Sequence, residues 1–190
     1  KLRRVRQGNK NYVAKNVSDV EIAGMRGNAW IEYLQSHGLE KSSTVLDYGC
    51  GTGLSGEALR AEGFVNLHGF DISKEMLALA DDKSIYSTLT CFDPEDGPPI
   101  PKGQFQTIAA IGVIGVGAAP LSTFDLLMDL LPPEGLFVFS FNDHALADPA
   151  FEKKVNDYTE AGQARLLFKE YGDHLPGAGL KSNVYVLKKT

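Results

Sequence analysis

Cysteine is scarce in this chain: Cys50 and Cys91 are the only two in 190 residues, and neither belongs to a CxxC pair or a Cys/His cluster. That excludes a disulfide scaffold and a thiolate metal site, and two reduced thiols fit a cytoplasmic protein with no bound metal. Long apolar runs are absent as well. No stretch approaches the roughly 18 consecutive apolar residues of a membrane span, so no membrane association is expected. No signal peptide is read at Lys1. Positive charge is in short supply, with 19 Lys and Arg against 24 Asp and Glu and a formal net charge of -5. This balance argues against a nucleic-acid partner. One segment runs the other way: residues 1–16 carry Lys1, Arg3, Arg4, Arg6, Lys10 and Lys15 and no acid. A frayed, solvated basic arm is expected there.

Hydrophobic residues are plentiful, at 43%, and the mean hydropathy is -0.14. That suits one soluble α/β domain over 41–190, preceded by an N-terminal arm and helix over 1–40 placed to act as a lid. Ile22, Met25, Ala29, Trp30, Tyr33 and Leu34 recur at helical spacing, with Trp30 expected in the core and Gly38 near the end. The period then changes. Short apolar runs at Thr44–Tyr48, Asn66–Asp71, Tyr86–Phe92, Phe105–Gly112 and Leu136–Phe141 read as buried strands. Helices are expected over Leu54–Glu62, from Ser73 as N-cap to about Asp82, and from a Ser122/Asp125 capping box to about Leu131. A further helix is opened by Asp148 and Pro149. Strands Arg165–Tyr171 and Asn183–Lys188 finish the chain around a glycine-rich loop, Gly172–Gly179.

Strand and helix alternate five times, which predicts a doubly wound α/β sandwich. In such sheets ligands sit beyond the carboxyl ends of the strands, where strand order reverses. The loop after the first strand reads Asp47-Tyr48-Gly49-Cys50-Gly51-Thr52-Gly53. Its glycines let the backbone approach a ligand closely, and the next helix aims its free N–H groups at the same space. Such a site receives a pyrophosphate or a carboxylate. Gly51-Thr52-Gly53-Leu54-Ser55-Gly56 formally fits the GxGxxG of dinucleotide binders, a weak match alone. Asp47, inside the loop, would repel a pyrophosphate but suits a ligand bearing both an ammonium and a carboxylate. Asp71 ends the second strand, where its two oxygens can take the hydroxyls of a ribose.

Val45-Leu46-Asp47-Tyr48-Gly49-Cys50-Gly51-Thr52-Gly53 resembles motif I of class I methyltransferases, DxGxGxG, with every fixed position filled. Gly69-Phe70-Asp71-Ile72-Ser73 is similar to their ribose-binding segment, and Leu131-Pro132-Pro133-Glu134-Gly135-Leu136 to the turn before their fifth strand, with Glu134 where glycine is usual. Leu67-His68-Gly69-Phe70-Asp71 resembles the small methyltransferase-like proteins related to the one encoded in the human Williams–Beuren region. The resemblance implies a Rossmann-like seven-stranded sheet, mostly parallel with an antiparallel last strand. It also implies S-adenosylmethionine as cofactor and S-adenosylhomocysteine as product. By it, Gly49, Gly51 and Gly53 line the methionine moiety, with Asp47 and Cys50 of the same loop among the cofactor-binding residues, Asp71 takes the ribose, and Ile72 packs on the adenine. Asp93 accepts from the adenine amine, and Gly112 borders the methyl donor.

The acceptor side is thin. Gly112-Val113-Ile114-Gly115-Val116-Gly117-Ala118-Ala119-Pro120 holds no histidine or acid. The chain also lacks the Asn/Asp-Pro-Pro-Tyr run and the Pro-Cys nucleophile of DNA-modifying methylases. A small-molecule O, N or S nucleophile is therefore the expected acceptor. Candidates to touch it are His174 and Tyr171, around the loop after strand six, and His144 after strand five. His37 and His68 read as structural. Two other readings stand beside this one: a non-catalytic cofactor binder, and an NAD-dependent oxidoreductase. The sequence leaves the oligomeric state open.

Overall fold

The computed structural model describes residues 29–175 and 180–190, with side chains for all of these except 173–175. The basic arm, Ile22 and Met25 lie outside the described residues. Helix α1 is Ala29–Ser36, and Trp30, Ile31 and Leu34 form its buried face. Strand β1, Thr44–Tyr48, and helix α2, Leu54–Ala61, flank the glycine loop. Then come β2 (Asn66–Asp71), α3 (Lys74–Asp81), β3 (Thr88–Cys91) and β4 (Thr107–Ala110). Helix α4 (Ser122–Leu130), β5 (Leu136–Asn142), α5 (Asp143–Leu146) and α6 (Pro149–Glu160) follow, before the long hairpin β6 (Ala164–Leu175) and β7 (Leu180–Lys189).

The seven strands form one sheet in the order β3-β2-β1-β4-β5-β7-β6. Strands β1 to β5 pair in parallel, and β7 runs antiparallel to both its neighbours, β5 and β6. The expected doubly wound, mostly parallel architecture is therefore present, with its order reversing between β1 and β4. Side-chain alternation along each strand divides the core in two. Leu46, Ile108, Phe137, Phe139 and Tyr185 pack on one face with Phe124 and Leu127 of α4 and Phe151 of α6. Val45, Ala109, Val138 and Val186 pack on the other with Trp30, Ile31 and Leu59. Burial on both faces explains why the parallel strands read as continuous apolar runs. Among the described residues no helix is long and apolar enough to cross a membrane.

Local signals placed several ends correctly. The Ser73 hydroxyl accepts the Met76 N–H, and the Asp148 carboxylate accepts the Ala150 N–H. The Ser122/Asp125 capping box does not form. Leu121 takes the cap position in helical geometry with no side-chain cap, and Asp125 turns instead to Lys154 Nζ and Tyr158 Oη of α6. The strand expected over Tyr86–Phe92 starts only at Thr88, and that over Phe105–Gly112 shrinks to Thr107–Ala110. The loop expected from Gly172 does not begin there, because β6 runs on to Leu175 and pairs Tyr171 with Asn183 and Gly172 with Ser182; residues 176–179 lie outside the described residues.

Candidate active site

A cleft of about 240 Å³ opens at the carboxyl ends of β1, β2, β3 and β4. Tyr48 and Gly49 contribute from β1 and its loop, Asp71 and Ile72 from β2, Phe92, Pro94 and Pro98 from the segment after β3, and Val113 from the segment after β4. Ser122, Thr123 and Leu126 of α4 complete the wall. This is the place where the reversal of strand order puts a ligand.

The glycine loop is held in one shape. Gly49, Gly51 and Gly53 have φ of 69°, 56° and 88°, the left-handed region that side chains disfavour. The Gly49 and Cys50 N–H groups both donate to the Phe70 carbonyl of β2. A Cβ on Gly49 would lie 2.6 Å from Val113 Cγ2, so the loop passes closely under the wall from β4. Asp71 clips the loop at its middle: its Oδ2 accepts the Gly51 N–H at 2.9 Å, while its Oδ1 accepts the Ser73 N–H at 2.9 Å. A carboxylate offers about four acceptor sites. Holding two backbone N–H groups is therefore compatible with receiving a ribose at the cleft.

Asp47 is fully buried, and its carboxylate binds protein. Its Oδ2 accepts from Ser55 Oγ at 2.7 Å and from Tyr86 Oη at 2.6 Å, and the Gly56 backbone N–H also faces the carboxylate. Burial raises its pKa from 3.8 to about 6, against the lowering effect of the Tyr86 and Ser55 hydrogen bonds, with the nearby charge of Asp71 raising it further. The partnership with Tyr86 was not visible in the sequence. The two lie 39 residues apart, and Tyr86 sits just outside β3, where an aromatic residue reads as part of the strand.

The remaining sequence candidates fall in three places. Gly49, Asp71 and Ile72 line the cleft. Cys50, Gly51 and Gly53 belong to the loop behind it, and the Gly112 N–H is held by Ser140 Oγ at 2.8 Å. Asp93 is exposed, and its Oδ1 accepts the Glu95 N–H, forming a turn between cleft-lining Phe92 and Pro94. On the acceptor side, Tyr171 donates its hydroxyl to Asp143 Oδ1 at 2.7 Å, and Asp143 Oδ2 accepts the Lys181 N–H. These bonds hold the Asp143 carboxyl below its usual range, the Tyr171 bond first. His144 is the exposed next residue of α5. Tyr171 and His144 thus share the carboxyl edge of the sheet without lining the cleft. The His174 backbone lies in β6, and its side chain falls outside the described residues.

Comparison with known proteins bears on the chemistry. Methyltransferase-like protein 27 of Homo sapiens is 36% identical over 96 residues, covering 50% of this chain and 39% of its own length. It meets the similarity expected to methyltransferase-like proteins. The 18S rRNA (guanine(1575)-N(7))-methyltransferase of Saccharomyces cerevisiae is 31% identical over 106 residues, covering 56% of this chain and 38% of its own length. The chain thus spans about two fifths of either relative. Among solved structures, the magnesium protoporphyrin IX methyltransferase of Synechocystis PCC 6803, with bound SAM, superposes at a TM-score of 0.68 and 17% identity. That match covers 95% of this chain and 85% of the other, and it shows the shared fold.

The yeast relative overturns the expectation against a nucleic-acid partner, since its name states an rRNA acceptor. The expectation failed for two physical reasons. Net charge is summed over a whole chain and does not describe a local surface. The missing DNA-methylase motifs serve amino groups and ring carbons, whereas guanine N7 presents a lone pair and needs neither. The oxidoreductase reading also falls, and Gly56, the last glycine of the GxGxxG match, has another use: a Cβ there would lie 2.3 Å from Tyr86 Oη. The family model for a methyltransferase domain matches residues 24–176, most of the chain and all of the cleft-lining elements. This chain belongs to the methyltransferase domain family.

Proposed function

We propose that this chain binds S-adenosylmethionine and transfers its methyl group to an O, N or S nucleophile of a small molecule. The observation that carries the reading is the buried Asp71 carboxylate on the cleft, fastened to the glycine loop through the Gly51 N–H. The residues fit the cofactor. Gly49 allows close backbone approach, Asp71 suits a ribose, and Ile72 and Phe92 supply apolar walls for a purine ring. Asp93, on the turn beside Phe92, is our candidate for the adenine amine, and Gly112 for the border of the methyl donor.

When bound, the cofactor supplies an electrophilic methyl on a sulfonium. The chain's part is alignment and exclusion of water. A base is needed only for a nucleophile that arrives protonated. For that role we keep His174, Tyr171 and His144, which the topology brings to the carboxyl edge of the sheet. Among the described residues that line the cleft Asp71 alone is charged, and the rest, apolar apart from Tyr48, Ser122 and Thr123, supports a small, weakly charged acceptor.

A second reading, methylation of a guanine N7 in RNA, is favoured by the yeast relative. Product formation across a panel of small O, N and S nucleophiles, with an rRNA fragment beside them, separates the two. S-adenosylhomocysteine release with small molecules alone supports the first, and release with the RNA alone supports the second. Binding without turnover of any acceptor supports a non-catalytic cofactor binder.

A further inference from the structure

Tyr86 lies between α3 and β3, outside the cleft, yet it packs against Gly53 at the end of the glycine loop, Gly69 of β2 and Gly56 of α2. A Cβ on Gly53 would come within 3.1 Å of its ring, one on Gly69 within 3.2 Å, and one on Gly56 within 2.3 Å of its hydroxyl. Those three glycines, from the loop, β2 and α2, leave a hollow that the ring fills. The hydroxyl at the end of that ring donates to Asp47 Oδ2 at 2.6 Å. The same oxygen accepts from Ser55 Oγ, so one carboxylate joins the end of β1 to the first turn of α2 across the loop. With Asp71 on the Gly51 N–H, the loop is tied at both ends and in the middle.

We propose that Tyr86 is a positioning residue for the cofactor loop: seated in the hollow of Gly53, Gly56 and Gly69, it holds the Asp47 carboxylate and thereby the shape of Gly49–Gly53. This inference rests on the cofactor reading above. Tyr86 does not touch the ligand; it acts through Asp47. Burial, and next the charge of Asp47, push the Tyr86 pKa far above its usual range, so the hydroxyl stays a donor. The groups facing the pair are Ser55 and the Gly56 backbone N–H from α2, Asp71 from β2 and Cys50 from the loop; the carboxylate of Asp71 opposes ionisation of Asp47. Loss of the Tyr86 donor therefore drives the Asp47 pKa upward, and an affinity that depends on ionised Asp47 shifts with it.

The test is calorimetric titration of the full chain with S-adenosylhomocysteine from pH 5 to 9, for wild type, Tyr86→Phe and Gly56→Ala. Tyr86→Phe keeps the ring and deletes the donor. Gly56→Ala leaves Tyr86 and Asp47 intact and pushes the hydroxyl out of place. Both are expected to weaken binding at pH 8 by about five- to thirtyfold and to move the acid-side midpoint upward. Unchanged affinity and midpoint in folded Tyr86→Phe overturn the proposal, as does a loss equal at every pH, which reports packing alone. If Tyr86→Phe does not fold, Gly56→Ala decides by the same criteria. No binding by wild type removes the cofactor reading and this inference with it, whereas wild-type binding with unaffected variants removes the inference only.

Discussion

The Asp71 carboxylate accepts the Gly51 N–H at 2.9 Å, joining the end of β2 to the middle of the glycine loop. One side chain therefore both lines the cleft and shapes its floor. Asp71→Ala removes hydrogen bonds to a charged acceptor, each worth roughly 1.5–3 kcal/mol before water replaces part of it. S-adenosylhomocysteine affinity is expected to fall roughly ten- to hundredfold. Amide hydrogen exchange at Gly51 is expected to quicken in the ligand-free variant. An unchanged dissociation constant in a folded Asp71→Ala protein would contradict the ribose role.

Gly49 is constrained twice, by φ of 69° and by Val113. Gly49→Ala places a side chain in the left-handed region and drives its Cβ into Val113, at a combined cost of about 2–4 kcal/mol. Adding Val113→Ala is expected to recover the steric part and leave the backbone part. Urea unfolding of the single and double variants reads this directly; full recovery would mean that the backbone conformation costs nothing.

Burial lifts the folded-state pKa of Asp47 from 3.8 to about 6, so the folded chain holds that proton more tightly than the unfolded chain does. The stability this gives is complete below about pH 3.8 and is lost as the pH rises through 6, amounting to about 3 kcal/mol. Asp47→Asn carries no such dependence. Relative to wild type, the ligand-free variant is expected to be more stable at pH 8 than at pH 4, while its S-adenosylhomocysteine affinity falls. Parallel pH–stability curves for the two proteins would show that Asp47 has an ordinary pKa.

What the sequence made legible was local. The bounds of β1 and β2, the Ser73 and Asp148 caps and the glycine loop all follow from residue type and spacing within a few positions. What it hid was tertiary. Asp125 is three residues from Ser122 and reads as half of a capping box, but α6 packs across α4 and offers Lys154 and Tyr158 as stronger partners. Tyr86 reads as strand by propensity, and only the fold shows the glycine-lined hollow that takes its ring. Glu134 was legible as a departure from the usual glycine. It does adopt φ of 65°, held by its N–H on the Lys189 carbonyl and by an ion pair with Lys188.

Uptake of S-adenosylmethionine by this cleft, through Asp71 and the loop that Asp47 and Tyr86 brace, underlies the proposed activity. Its most direct test is calorimetric titration of the wild-type chain at pH 8 with S-adenosylhomocysteine and, separately, with NAD. Saturable binding of S-adenosylhomocysteine, with NAD far weaker, is the predicted result. NAD binding without any S-adenosylhomocysteine binding at millimolar ligand would contradict it.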